Sequence, residues 1–208
     1  FVPGDTEITV YVDDIKITSG SDILLKQPNF GLDDTLDCGQ AFRWEKIDEN
    51  TYFCIGSGGA GRAMCSALAY YGAKKIYITD VFEESSKSLV EDINKNFAPV
   101  AEFCPAGDFS KVKEATVVLN ASGIGMGSHI GENPLPKEFI SKDQFYFDAC
   151  YNPAKTQFLL DAEEAGATIL NGLGMSLYQG AAQIEYWTGQ EPPIEAMRQK
   201  LLDIISEK

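Results

Sequence analysis

The 208-residue sequence is poor in positive charge and has one histidine and two tryptophans. Seventeen Lys and Arg stand against 31 Asp and Glu, a net charge of −14. An excess of that size repels phosphate backbones, and no run of Lys and Arg makes a local exception, so nucleic acid is not an expected partner. Long apolar runs are missing too. No segment reaches the ~18 consecutive apolar residues of a membrane span, and no basic-then-apolar signal opens the chain. No membrane partner is expected, and the location is read as cytoplasmic. The cysteines Cys38, Cys54, Cys65, Cys104 and Cys150 are odd in number and lack metal-site spacing. Reduced, mostly buried thiols and no metal site are expected. What is left, 44% hydrophobic and 23% charged, is ordinary for a soluble globular protein long enough to bury a proper core.

The stretch Thr51 to Met64, TYFCIGSGGAGRAM, organises the rest. Tyr52-Phe53-Cys54-Ile55 reads as a short buried strand. It breaks into Gly56-Ser57-Gly58-Gly59-Ala60-Gly61, which satisfies G-x-G-x-x-G ahead of a helical pattern, so strand, glycine turn and helix come in the order a dinucleotide site requires. Gly56 makes the tight turn, Gly58 lets backbone approach a pyrophosphate, and Gly61 lets the helix pack close to the strand. The free N–H groups at that helix start would face the phosphates. Met64, Ala67, Leu68 and Tyr71 continue an apolar stripe until Gly72, and Lys75 to Thr79 gives a second strand ending at Asp80. Asp80 lies 24 positions after Gly56, close to the ~20-residue offset of the acid that holds the adenosine ribose.

Residues 1–50 have a different texture. Glu7 to Val12 alternates, Ile15 and Ile17 continue the alternation, and Ser19-Gly20-Ser21-Asp22 is a turn cluster, so a small antiparallel β segment is predicted. From residue 51 onward strands and helices alternate. Helices are expected over Glu83–Phe97, Asp108–Glu114, Thr156–Ala165, Met175–Trp187 and Ile194–Ile205, the last after Pro192-Pro193. Strands are expected over Pro99–Cys104, Thr116–Leu119, Gln144–Cys150 and Thr168–Leu170. The strand at Thr116 delivers the chain to a second glycine-rich loop, Asn120 to Gly127. In an open parallel sheet both loops face one crevice at the strands' carboxyl ends. The fold class is α/β, a Rossmann-like doubly wound parallel sheet over 51–208 preceded by the β segment of 1–50.

Two resemblances follow. The run Gly39-Gln40-Ala41-Phe42-Arg43-Trp44 resembles the opening segment of the 8-oxoguanine DNA glycosylase family. That likeness covers residues 1–50, while the family's lysine nucleophile and aspartate lie in a later helical region that nothing after residue 55 resembles. Phe42 and Trp44 are read as core residues of the β segment. The second half is similar to the C-terminal, nucleotide-binding domain of the shikimate dehydrogenase (shikimate/quinate 5-dehydrogenase) family. The matching pieces are GSGGAGRA from Gly56, NASGIGM from Asn120, DACYNPAKTQFL from Asp148 and NGLGMSLYQGAAQIEYWTG from Asn171.

This second resemblance implies an NAD(P)-dependent oxidoreductase that interconverts 3-dehydroshikimate and shikimate. It puts Gly56, Ser57, Gly58, Gly59 and Ala60 at the pyrophosphate, and Asn120, Ala121, Ser122 and Gly125 along the dinucleotide crevice. Ala149, Gly172 and Met175 match positions near the nicotinamide, and Tyr151 and Gln179 match contacts to the hydroxyls and carboxylate of a shikimate- or quinate-like acid. The family's NADP-dependent members carry an Asn-Arg-Thr-like stretch after the second strand, where this chain reads Asp80-Val81-Phe82. A carboxylate accepts from ribose hydroxyls and repels a 2′-phosphate, so NAD is favoured over NADP, with Lys87 and Arg62 as the cations that could reverse this. The family's catalytic lysine and aspartate motifs do not occur in residues 1–50, Lys16 and Lys26 have unrelated contexts, and no catalytic residue is identified. His129 is read as part of an exposed insertion. A non-catalytic dinucleotide-binding module is therefore the alternative reading, and the surface a substrate domain would cover makes a homodimer plausible.

Overall fold

The structure, a computed structural model, describes residues 50–206 in full and, ahead of them, the backbone of three short strands. These are β1 (Thr9–Val12), β2 (Ile15–Thr18) and β3 (Ile23–Leu25), an antiparallel sheet in the order β1-β2-β3. Val12 pairs with Ile15, so β1 and β2 are joined by the shortest hairpin connection. The antiparallel segment expected from the alternation is present. The turn cluster 19–22, the glycosylase-like run with Phe42 and Trp44, Lys26 and Cys38 lie outside the described residues.

Two compact units divide the chain, one spanning Glu45–Leu173 and the other joining Phe1–Trp44 with Gly174–Lys208. The first holds a parallel sheet of β4 (Thr51–Ile55), β5 (Lys75–Thr79), β6 (Ala101–Phe103), β7 (Val117–Asn120), β8 (Phe145–Asp148) and β9 (Thr168–Asn171). Their order is β6-β5-β4-β7-β8-β9. Counted from β4 this is 3-2-1-4-5-6, the doubly wound order whose direction reverses between β4 and β7. Helices α1 (Gly59–Tyr70), α2 (Glu83–Asn96) and α3 (Gln157–Glu164) connect the strands. β4, β5, β7 and β8 are apolar and buried almost throughout, as strands covered on both faces must be. Phe53, Val118, Tyr146 and Phe158 lie fully buried in one cluster with Leu135 and Leu159, each contributing ~1.5–3 kcal/mol by removal from water.

Strand and helix ends fall within a few residues of expectation, with one difference of kind. The helix expected from Asp108 to Glu114 is a single 3-10 turn, Val112–Glu114. Asp108 instead accepts the Ser110 N–H at 2.9 Å, directly after Gly107 at φ +79°. That local side-chain bond competes with helix formation.

The second unit contains α4 (Leu173–Thr188) and α5 (Ile194–Ser206). Pro193 stands just ahead of α5 and its carbonyl accepts the Met197 N–H at 3.0 Å, so the proline sits where a helix tolerates it. Among the described residues no helix is long and apolar enough to cross a membrane. Cys54, Cys65, Cys104 and Cys150 are free and buried, as read from the sequence.

Candidate cofactor site

β4 ends at Ile55 and the chain turns at Gly56 with φ +107°, a conformation that disfavours any side chain. The Gly56 N–H donates to the Thr79 carbonyl at 2.8 Å. A Cβ on Gly56 would lie 2.5 Å from the Ala121 carbonyl carbon, so the two glycine loops touch here, backbone to backbone. A Cβ on Gly61 would lie 2.0 Å from the Gly56 oxygen, which is the close helix–strand approach expected of that glycine. Gly58 and Gly59 differ. Both are exposed, and a Cβ on either would meet nothing within 4 Å. Gly58 is also the N-cap of α1, with no side chain capping the helix, so the first-turn N–H groups remain available to an anion.

Asp80 leaves the end of β5 and turns back onto this loop. Its Oδ2 accepts the Ser57 N–H at 2.6 Å and the Ser57 hydroxyl at 2.9 Å, while Oδ1 accepts the Phe82 N–H at 2.9 Å. The next two side chains, Val81 and Phe82, are 81% and 75% exposed, the most open large apolar pair beside the loop. Both cations that could have met a phosphate are engaged. Arg62 Nη1 pairs with Asp92 at 2.6 Å, and Lys87 pairs with Glu84 at 2.8 Å and Glu83 at 3.6 Å.

The second loop is built around Asn120, fully buried at the end of β7. Its Oδ1 accepts the Ser122 N–H and hydroxyl, and its Nδ2 donates to the Ile124 carbonyl and to Asp148 Oδ1. With all its polar atoms bound inside the protein, the Asn120 side chain shapes the crevice wall from behind. Gly125, at φ +105°, packs on Thr156, whose methyl and Cβ would stand about 3 Å from any added Cβ. Thr156 donates to Asp148 Oδ2 at 2.5 Å and caps α3 by accepting from the Leu159 N–H. Asp148 thus ties the ends of β7 and β8 to the start of α3. Burial pushes its carboxyl above the usual range against the donors Thr156, Cys150 and Asn120, and burial beside that carboxylate lifts the Cys150 thiol to about 12.

Ala149 and Gly172 are similarly locked. Gly172 donates to the Cys150 carbonyl at 3.2 Å, and a Cβ there would fall 2.0 Å from the Ala149 oxygen. Replacing Asp148 by alanine strands three buried donors while relieving one buried charge. A net loss of about 2 kcal/mol, seen as a melting temperature about 5 °C lower, is the expected result in a thermal melt.

The structure therefore gathers Gly56 to Ala60, Asp80, Asn120 to Gly125, Ala149 and Gly172 at the carboxyl edge of the sheet, with half-buried Tyr151 just beyond β8. Met175, half-buried, and Gln179, exposed, lie on α4 in the other compact unit. His129 is exposed and within 3.1 Å of Glu132, as expected of an insertion. Among the described residues no cluster of His, Cys, Asp and Glu could hold a metal ion. Asp148 and Thr156 were not foreseen. The available sign was an acid closing the otherwise apolar strand Phe145-Tyr146-Phe147.

A 3-2-1-4-5-6 parallel sheet with a glycine turn and open helix start after its first strand, and an acid after its second, defines an NAD(P)-binding Rossmann-type domain. Comparison with known proteins gives the particular family. The family described as Shikimate 5'-dehydrogenase C-terminal domain matches residues 172–202, and the α/β part of the chain belongs with that family. The 8-oxoguanine DNA glycosylase N-terminal domain family matches residues 22–97, a span that runs on past Asn50 through β4, α1, β5 and α2.

A shikimate dehydrogenase (NADP(+)) of Caldanaerobacter subterraneus is 33% identical over 146 residues, 70% of this chain and 52% of that protein. The shikimate 5-dehydrogenase of Listeria monocytogenes, solved with shikimate and NAD, superposes with a TM-score of 0.68 at 34% identity, over 73% of this chain and 55% of that one. Quinate dehydrogenase from Corynebacterium glutamicum, solved with NAD, gives 0.67 at 27% identity, over 74% and 55%. The chain spans about half the length of the curated relatives it matches.

Proposed function

We propose that this chain binds NAD in preference to NADP, through the loop Gly56 to Ala60 and the acid Asp80, as the cofactor-binding part of a shikimate dehydrogenase-type oxidoreductase. The observation that carries this reading is the joined geometry of Gly56, Ser57 and Asp80 at the carboxyl ends of β4 and β5. The residues present fit the dinucleotide. Gly58 and Gly59 leave backbone open to a pyrophosphate, and the uncapped α1 start offers N–H groups to it. Asp80 Oδ1 keeps a lone pair for a ribose hydroxyl, and exposed Val81 and Phe82 offer an apolar surface to the adenine. Ala121, Ser122, Gly125 and Ala149 line the continuation of the crevice, and Gly172 and Met175 complete its nicotinamide end in this reading.

NAD, when bound, supplies the hydride acceptor for oxidation of a ring alcohol. Tyr151 and Gln179 would orient a shikimate- or quinate-like acid by its hydroxyls and carboxylate, the phenol and amide serving as neutral partners. The proton of that alcohol needs a base, worth ~10²–10⁴ in rate, and no residue of this chain is assigned to it. The module boundary is put at residue 50, because Asn50 and Thr51 are the first residues whose backbone joins the parallel sheet. Association as a homodimer belongs to the same reading, supported by Trp187 on α4, which is 74% exposed.

Isothermal titration of the 208-residue chain is expected to give tighter binding of NAD than of NADP, with the preference reduced about tenfold by Asp80→Asn. Equal affinities unaffected by that change would refute the assignment of Asp80. NADH formation with shikimate then separates the two forms of the reading. Turnover lost in Tyr151→Phe marks a complete dehydrogenase site. NAD binding without turnover marks a binding module.

A further inference from the structure

The Asp80 carboxylate offers about four lone-pair positions. Ser57 holds two of its hydrogen bonds on Oδ2 and the Phe82 N–H holds one on Oδ1. Ser57 is itself 1% exposed, so its hydroxyl has no solvent to turn to. Two serines from the start of α2 hold it in place. The Ser85 hydroxyl donates to the Ser57 carbonyl at 3.2 Å, and the Ser86 hydroxyl lies at 3.5 Å from the Ser57 hydroxyl. The acid that faces the ribose and the loop that faces the pyrophosphate are therefore one hydrogen-bonded body.

We propose that Ser57 is a positioning residue for cofactor choice: its hydroxyl fixes the Asp80 carboxylate so that Oδ1 meets a ribose diol and the charge cannot swing away from a 2′-phosphate. The proposal rests on the reading that Asp80 faces the adenosine ribose. Discrimination against a phosphate has two sources, the absence of a compensating cation and the immobility of the anion. Arg62 and Lys87 are already paired with acids, which supplies the first. The second depends on Ser57, because the two backbone donors alone leave Oδ2 with a single bond. Ser85 provides an internal contrast. It steadies the same loop through the Ser57 carbonyl and does not touch Asp80.

The test is titration of NAD and NADP into the full chain and its Ser57→Ala, Ser85→Ala, Asp80→Asn and Ser57→Ala/Asp80→Asn variants, each checked by its melting curve. Ser57→Ala is expected to narrow the NAD/NADP affinity ratio about tenfold, the scale of one hydrogen bond to a charged acceptor. Ser85→Ala is expected to weaken both dinucleotides alike and leave the ratio where it was. On the Asp80→Asn background the Ser57 change should have no further effect on the ratio, since the group it acts through is gone. An unchanged ratio in Ser57→Ala, or an equal change in Ser85→Ala, overturns the role of Ser57 and leaves NAD binding standing. Should Ser57→Ala not fold, Ser57→Thr, which keeps a hydroxyl, must retain the wild-type ratio or the role is refuted. Failure of the unmodified chain to bind either dinucleotide overturns the cofactor reading and this proposal together.

Discussion

Gly58→Asp is expected to abolish dinucleotide binding while leaving the melting temperature almost unmoved. Gly58 is exposed, its φ of −69° suits any residue, and a Cβ there meets nothing within 4 Å, so the fold has no objection to a side chain. The same openness is what a pyrophosphate needs. A carboxylate about 4 Å from a phosphate opposes it by ~4 kcal/mol at an effective dielectric of about 20, close to a thousandfold in affinity. Titration calorimetry and a thermal melt on one sample read both halves of the result. Retained NAD affinity would mean that the pyrophosphate does not lie over this loop.

Gly61→Ala is expected to do the reverse, damaging the fold before any ligand is considered. Its Cβ would sit 2.0 Å from the Gly56 oxygen and 2.9 Å from the Gly56 carbonyl carbon, both rigid backbone atoms at the end of the central strand. Relief requires α1 to move off β4, which would open contacts around buried Cys65 and Leu68. Overpacking against backbone belongs at or beyond the upper end of the usual 1–3 kcal/mol, and about 4 kcal/mol is expected here. For a chain of this length the melting temperature falls by roughly 12 °C. A melt within 2 °C of the parent would show that the strand and helix have slack that the geometry denies.

The two glycines carry the same letter in one motif, and the pattern alone assigned each its task correctly because the tasks are local. Strand, turn and helix within residues 51–70 follow from spacing and from what a missing side chain permits. The reach from Gly56 to Asp80 was also legible, since it is set by one helix and one strand of ordinary length. What the pattern could not convey is that Ser57 and Asp80 already hold each other, or that Asn120, Asp148 and Thr156 form one buried cluster. Those bonds join residues 23 and 28 positions apart, and no local periodicity encodes which buried polar side chains will find each other. The region from Asp108 to Glu114 failed for the opposite reason: its helical spacing was real, and a bond across two residues outcompeted it. Arg62 and Lys87 were legible as cations but not as partners of Asp92, Glu83 and Glu84.

The chain enters the parallel sheet at Asn50 and Thr51, at the amino end of its most central strand. Five residues of β4, roughly 16 Å at ~3.3 Å each, separate that entry from the glycine turn at its other end. Every strand pairing, both glycine loops and the Asp148 cluster lie on the far side of residue 50 in sequence. A genetic crossover at this position would exchange the leader without breaking a single rung of the ladder. The junction is thus a natural splice point, where unlike ancestry on its two sides carries no penalty in the architecture that follows.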